Sequence, residues 1–279
     1  PTNVATSSYG LTSAIQWNIP VNHLTVDNNT IGGAGANEIK IETTNFINPH
    51  TLGLRALLID MNGTNYTNRT TLSISNNNIA NVNRLVSGSI ASYTSQDAQG
   101  ASAIYVGKGA ITNTIHNNTI NGMTVANGLY SAAANQSFEV IKVLGNPRTG
   151  LSTVNITSNN ISNITRNHFG FLTSMASGSG LNSFTSGITA DYTSAVQTKN
   201  ISGNTISGIT QTNTYATTAA QQATFYSQLN GIRVRGRNAT NSEINIFNNQ
   251  VSNLTGANWN QGGALSTTSI NQYTTAWNV

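Results

Sequence analysis

The sequence predicts an all-β chain wound into stacked coils, forming one domain over residues 1–279. Three observations carry that expectation. One pattern recurs six times, short runs of alternating apolar residues precede each copy, and uncharged polar side chains take the place of charges.

The repeat comes first because it decides the architecture. Six segments match: HLTVDNNTIGGA from His23, TLSISNNNIANV from Thr71, TNTIHNNTINGM from Thr112, TVNITSNNISNI from Thr153, KNISGNTISGI from Lys199 and EINIFNNQVSNL from Glu243. They span residues 23–34, 71–82, 112–123, 153–164, 199–209 and 243–254, and a partial copy occupies 264–279. Anchored on Ile31, Ile79, Ile120, Ile161, Ile206 and Val251, they recur every 41 to 48 residues, a coil of about 45. Five residues before each anchor stands an apolar residue: Val26, Ile74, Ile115, Ile156, Ile201 or Ile246. Two residues before it stands Asn without exception: Asn29, Asn77, Asn118, Asn159, Asn204 and Asn249. Three residues after it come Ala34, Val82, Met123, Ile164, Ile209 and Leu254.

Ahead of each segment lies a second run: AIQWNI from Ala14, ALLIDM from Ala56, SAIYVG from Ser102, FEVIKV from Phe138, SGITA from Ser186 and NGIRVRG from Asn230. Their period-2 alternation is that of a strand with one buried face. A seventh, TAWNV, ends at Val279 and sets Trp277 against Trp17 of the first run. Each repeat therefore reads as strand, turn, strand, Asn bend, strand and long loop. One unit cannot bury its own apolar face, whereas stacked units bury a continuous core, which gives a solenoid of six to seven coils. Splitting each period into two smaller coils is disfavoured, because one Asn bend occurs per period.

Stacking explains the composition. Charged residues are 7% of the chain, against roughly 25% in an average domain, while Asn, Thr and Ser number 43, 39 and 28. Equivalent residues of neighbouring coils stand about 4.8 Å apart, where like charges destabilise. Thr, Ser and Asn instead stack and hydrogen-bond. The outward column Thr30, Asn78, Thr119, Asn160, Thr205 and Gln250 fits this. At the bend an inward Asn amide donates to one neighbouring coil and accepts from the other, an Asn ladder, and Asn tolerates the left-handed backbone of a sharp turn.

The segment Gly231 to Leu254 best displays the pattern GI-x-V … I-x-I-x-N-N-x-I-x-N-I. In it the chain resembles the right-handed parallel β-helix superfamily of pectate lyases and tail-spike proteins, from about Ala14 to Val279. Its Asn/Thr-rich, Cys-free composition is also similar to that of large secreted bacterial surface proteins. The resemblance implies a right-handed parallel β-helix with an internal Asn ladder and long loops on one side, in an extracellular or cell-surface setting. Coils of that superfamily take some 20 residues. Here the excess sits after the third strand, in segments holding Tyr93, Tyr130, Phe169, Phe171, Tyr215, Phe225, Tyr226 and Trp259. These aromatics suit a sugar-stacking face, the small core of a loop layer, or a contact between molecules; Trp277 joins them as an interface candidate.

No run of ~18 apolar residues exists to span a membrane as a helix, and the net charge of +4 is spread too thinly for a nucleic-acid face. Enzymes of the resembled superfamily cluster carboxylates on neighbouring coils. Asp27, Asp60, Asp97 and Asp191 are expected to share no column, nor are Glu38, Glu42, Glu139 and Glu243, so no catalytic residue is assigned. His23, His50, His116 and His168 lack any metal spacing, and neither metal nor cofactor is expected. Arg233, Arg235 and Arg237 alternate along one strand; a solvated outer face is the plain expectation, an acidic-glycan contact the sharper one. Acceptor sequons number about twelve, close to chance for this composition. The chain opens at Pro1 without a leader and neither end carries a cap, so both ends are expected to be covered by further repeats or by other copies, head to tail. The leading expectation is a structural segment of a surface filament or adhesin. A glycan-binding module and a polysaccharide lyase or hydrolase stand behind it, and an ice-binding Thr array ranks last.

Overall fold

The computed structural model describes residues 13–35, 38–43, 53–61, 69–86, 89–90, 100–127, 129–130, 137–144, 151–169, 181–191, 196–214, 225–234, 243–256 and 272–278. Among them every regular element is a strand. The first repeat holds β1 (Ile15–Trp17), β2 (His23–Asp27), β3 (Thr30–Gly32) and β4 (Ile39–Thr43). The second holds β5 (Leu54–Asp60), β6 (Thr71–Ser75), β7 (Asn78–Ala80), β8 (Val82–Val86) and β9 (Ser89–Ile90). The third holds β10 (Ala101–Lys108), β11 (Thr112–His116), β12 (Thr119–Asn121), β13 (Thr124–Asn127) and β14 (Leu129–Tyr130). Then come β15 (Ser137–Val143), β16 (Leu151–Thr157) and β17 (Asn160–Phe169), followed by β18 (Leu181–Ala190), β19 (Val196–Ser202) and β20 (Thr205–Thr214). Last come β21 (Phe225–Val234), β22 (Glu243–Phe247), β23 (Gln250–Gly256) and β24 (Gln272–Asn278).

These strands build three parallel sheets, the arrangement of a parallel β-helix. The first runs β1-β5-β10-β15-β18-β21-β24 and the second β2-β6-β11-β16-β19-β22. The third joins β3, β7 and β12, together with β4, β8 and β13, to β17, β20 and β23, and β9 pairs with β14 in a small fourth sheet. The anchors form one column, Ile31↔Ile79↔Ile120↔Ile161↔Ile206↔Val251. Because each anchor pairs with the anchor of the next repeat, one repeat makes one pass through all three sheets.

The core fills the space between the sheets. Ile74, Ile115, Ile156 and Ile201 project from the second sheet, the interior anchors Ile79, Ile120, Ile161 and Ile206 from the third, and Leu57, Ile104, Ile141, Ile188 and Ile232 from the first, all at most 1% exposed. Of the end anchors, Ile31 is 4% exposed and Val251 half-buried. Two places depart from the sequence reading. The column through Val82 and Met123 is joined in the first repeat by Ile39, which pairs with Val82, and not by Ala34, which is exposed. The extra residues between Gly32 and Ile39 carry the chain past Ala34 and bring a larger apolar side chain onto the core. Trp277 pairs with Ile232, in the column of Ile15 and not of Trp17, which lies two residues further along the strand direction.

Each pass also has two left-handed residues, where a single Asn bend was expected; in the first repeat the second is Gly32, φ 77°, one place earlier than in the other repeats. The first bend uses Asn28, Asn76, Asn117, Ser158, Gly203 and Asn248, and the second Asn81, Gly122, Asn163, Gly208 and Asn253, with φ between 53° and 71°. The ladder asparagines are not themselves left-handed. Each follows the left-handed residue, whose turn swings the next side chain into the interior.

Candidate functional site

Among the described residues the inward asparagines form a continuous polar column. Asn77, Asn118, Asn159 and Asn204 are each 1% exposed. Along the column every Nδ2 donates to the Oδ1 of the next repeat's asparagine: Asn29 to Asn77 at 2.8 Å, Asn77 to Asn118 at 2.9 Å, Asn118 to Asn159 at 2.9 Å, Asn159 to Asn204 at 3.0 Å and Asn204 to Asn249 at 2.8 Å. The backbone N–H of each donor residue reaches the same oxygen at 3.0 Å. Nδ2 also donates to a main-chain carbonyl of the preceding repeat, as Asn159 does to Ile115 at 3.0 Å. Buried amides are thereby satisfied, which a bend inside an apolar core requires.

The outer side of the first sheet is covered at Arg233, unlike the solvated position expected for it, while Arg235 and Arg237 lie outside the described residues. Leu58, Tyr105, Lys142, Thr189 and Arg233 form one column between the core columns of Ile104 and Val106. Arg233 is 6% exposed, and its Nη1 lies 3.4 Å from Glu139 Oε1. Lys142 Nζ lies 2.7 Å from the other oxygen of Glu139, and the Arg55 guanidinium stacks 3.6 Å above the Tyr105 ring. Burial pushes the Glu139 carboxyl up, but the charge and hydrogen bond of Lys142, a hydrogen bond to Ser137 and the Arg233 charge together hold it below the ordinary carboxylate value. This is a closed ion cluster, and a strand's alternation alone cannot reveal it, since both faces of the strand are covered.

A second buried polar group lies inside. Ile41, Arg84, Val125, Arg166, Gln211 and Gly256 share a column of the third sheet. Arg166, fully buried, donates to Thr185 Oγ1 at 2.8 Å, and Thr185 donates in turn to Gln211 Oε1. Asn113, in the inward column of Leu72 and Val154, closes a turn by accepting from Ala110 N–H and donating to Ala110 O, both at 2.8 Å. The sequence reading passed over all of these; the signal for Arg84 and Arg166 was their equal place after the anchors Ile79 and Ile161.

Carboxylates are closer in register than expected. Asp60 and Asp191 each follow the column Ile59–Val106–Val143–Ala190, three strands apart. At the inter-strand spacing that is roughly 14 Å, beyond the ~9.5 Å limit for a paired glycosidase site. Asp27 is exposed and accepts from Ser75 Oγ at 2.7 Å and Asn76 Nδ2 at 2.9 Å, which holds its carboxyl below the ordinary value. No group of three or more His, Asp or Glu gathers as a metal site among the described residues.

Of the interface candidates, Tyr130 pairs with Ile90, Tyr226 with Asn182, and Trp277 with Ile232. Phe171, Tyr215, Trp259 and Arg235 lie outside the described residues, as do Tyr93, Asp97 and His50. The large apolar side chains exposed among the described residues are Trp17 at 36%, Ile19 at 60% and Phe247 at 52%, and they belong to the first and last repeats. Ile19 stands two residues after Trp17 as Met61 stands two after Ile59, yet Met61 is fully buried. At the first repeat, then, a core position is open. Compared with family models, with curated proteins and with solved structures, the chain matches none.

Proposed function

We propose that the chain is a structural segment of an extracellular filament or surface adhesin: a right-handed β-solenoid of six to seven coils that associates end to end. The observation that carries this reading is the placing of the exposed large apolar residues, Trp17 and Ile19 in the first repeat and Phe247 in the last. Apolar surface gathered at the two ends of a column of strands marks where another molecule belongs. Right-handedness follows from the strong preference of parallel crossovers. Sedimentation velocity across micromolar concentrations, with electron microscopy of the same samples, tests the reading. Growing, unbranched particles are expected, and a monomer at every concentration would remove it.

A glycan-binding face is the second reading. The outward columns His23–Thr71–Thr112–Thr153–Thr198–Glu243 and Thr25–Ser73–Thr114–Asn155–Asn200–Asn245 line the second sheet, and their residues are exposed or half-buried. Such a row of hydroxyls and amides suits the hydroxyls of a straight polysaccharide. Retention on immobilised neutral and acidic polysaccharides, lost on replacing Thr112 and Thr114 by Val, is the expected sign. Turnover is not expected, because Asp60 and Asp191 stand too far apart; release of reducing ends that vanishes in Asp60→Asn would overturn this.

A further inference from the structure

The ladder is directional. Every interior Oδ1 accepts from the repeat before it, and every interior backbone N–H of the ladder donates to the repeat after it. The neighbouring backbone bond runs the other way: Asn78, Thr119, Asn160, Thr205 and Gln250 donate their N–H to the ladder carbonyl of the preceding repeat, at 2.8 to 2.9 Å. The two end members are therefore unlike. Among the described residues, Asn29 Oδ1 accepts no hydrogen bond and the neighbouring Thr30 N–H donates none. Among the same residues, Asn249 N–H donates no hydrogen bond, its carbonyl accepts none from the ladder, and its Nδ2 donates to main-chain carbonyls alone. What one end lacks the other supplies.

Resting on the end-to-end reading above, we infer that the mate of each end is the opposite end of a second copy, joined by continuation of the ladder from Asn249 of one copy to Asn29 of the next. Asn249 N–H and Nδ2 donate to Asn29 Oδ1, and Thr30 N–H donates back to the Asn249 carbonyl. At the ladder position itself, two first repeats facing each other would oppose Oδ1 to Oδ1, and two last repeats N–H to N–H. The columns agree with this pairing. In the core Ile246 meets Val26, Val251 meets Ile31 and Leu254 meets Ile39, aliphatic on aliphatic, while in the outward columns Glu243 meets His23 and Phe247 meets Asp27. The contact is heterologous, so it propagates unless rotation closes a ring.

The joint also requires a strand exchange. Among the described residues the first sheet has seven strands and the second six. If β2 of one copy stacks on β22 of another, β24 of the first molecule and β1 of the next meet at one position. β1 is paired only at Leu57–Ile59 of the seven-residue β5, whereas β24 is paired at six residues of β21. The shorter strand gives way, and β24 takes its place against β5 of the neighbour.

The chain has no cysteine, so single cysteines report the joint cleanly. Thr30 and Gln250 are exposed ends of one outward column, and in the joint their Cα atoms fall within the roughly 4.4 to 6.8 Å that a disulfide spans. T30C and Q250C are prepared separately, checked for unchanged melting, and oxidised alone and mixed. Crosslinked dimer in the mixture and none in either variant alone is expected. Homodimer of one variant alone would overturn the polarity. Wild type that assembles without any crosslink in the mixture would overturn this joint while sparing the end-to-end reading; wild type that stays monomeric removes both. As a second measurement, N29L and N249L should each lose assembly by at least about tenfold and recover a one-to-one complex when mixed. Assembly of either variant alone at wild-type strength would also overturn the joint. Hydrogen exchange should show the β1 amides losing protection on assembly; β1 protection retained in the assembled state would overturn the exchange.

Discussion

At the scale of single residues the molecule depends on what sits one position either side of a bend. Asn159 points inward, is 1% exposed and is bonded on both sides; Asn160 points out and is exposed. Asn159→Leu should lower the unfolding free energy by about 1 to 3 kcal/mol, because neighbouring amides lose their partners in a dry interior, while Asn160→Ala should cost under about 0.5 kcal/mol. Denaturant titration of the two variants checks this, and equal losses would remove the ladder from the energetics. Ser158 holds φ +57° where other repeats use Asn or Gly. Ser158→Asn should stabilise by about 0.5 kcal/mol, since Asn adopts left-handed backbone more readily; its amide also comes within reach of Asn117, as Asn117 bonds Asn76 at 2.7 Å. The ladder was legible because only one side chain satisfies both directions at that position. The left-handed residue before it was not, because Asn, Ser and Gly all serve there and leave no column of identity.

At the scale of strands the first sheet is the most demanding element. Gly187 in it faces the third sheet: a Cβ there would stand 2.8 Å from both the Gly231 carbonyl and Ile206 Cγ2. Gly187→Ala should therefore cost about 1 to 3 kcal/mol by overpacking, read as a lowered melting temperature; a neutral result would mean that the strand backs away freely. On the other face, Glu139→Gln leaves Lys142 and Arg233 without their carboxylate in a closed site, and should cost about 3 kcal/mol at neutral pH. The sign of the pH effect follows from the depressed Glu139 value. Its stabilisation is present above the unfolded carboxylate value, about 4.3, and is lost as pH falls through the lower folded one. Melting temperature should fall on acidification below about pH 5, less steeply in Glu139→Gln than in wild type. The strands themselves were legible in the alternation of AIQWNI and its equivalents. The burial of Arg233 was not, since alternation identifies an inward face without revealing whether the outward one is covered. Nor was the replacement of Ala34 by Ile39, because a repeat aligned by spacing is blind to an insertion within it.

At the scale of the whole molecule, one repeat makes one circuit, and the length differences between repeats fall in the connections and leave the pairing intact. The 41-residue and 48-residue periods give the same column of anchors. That much was legible, because stacking forces every repeat into register. The polarity of the ladder was not legible, because it needed the direction of each hydrogen bond. The circuit also has a mechanical consequence. Among the described residues every strand pairs through its backbone only with strands one circuit away, so a coil peeled from an end gives up its backbone pairing all at once while the coil beneath keeps its own. Drawn out from its ends by an optical trap, the molecule should pay out in a staircase, each step releasing 41 to 48 residues, about 140 to 170 Å of extended chain. A single rupture releasing the whole length would mean that the coils yield together, and that tension is shared along the axis instead of borne by the outermost turn.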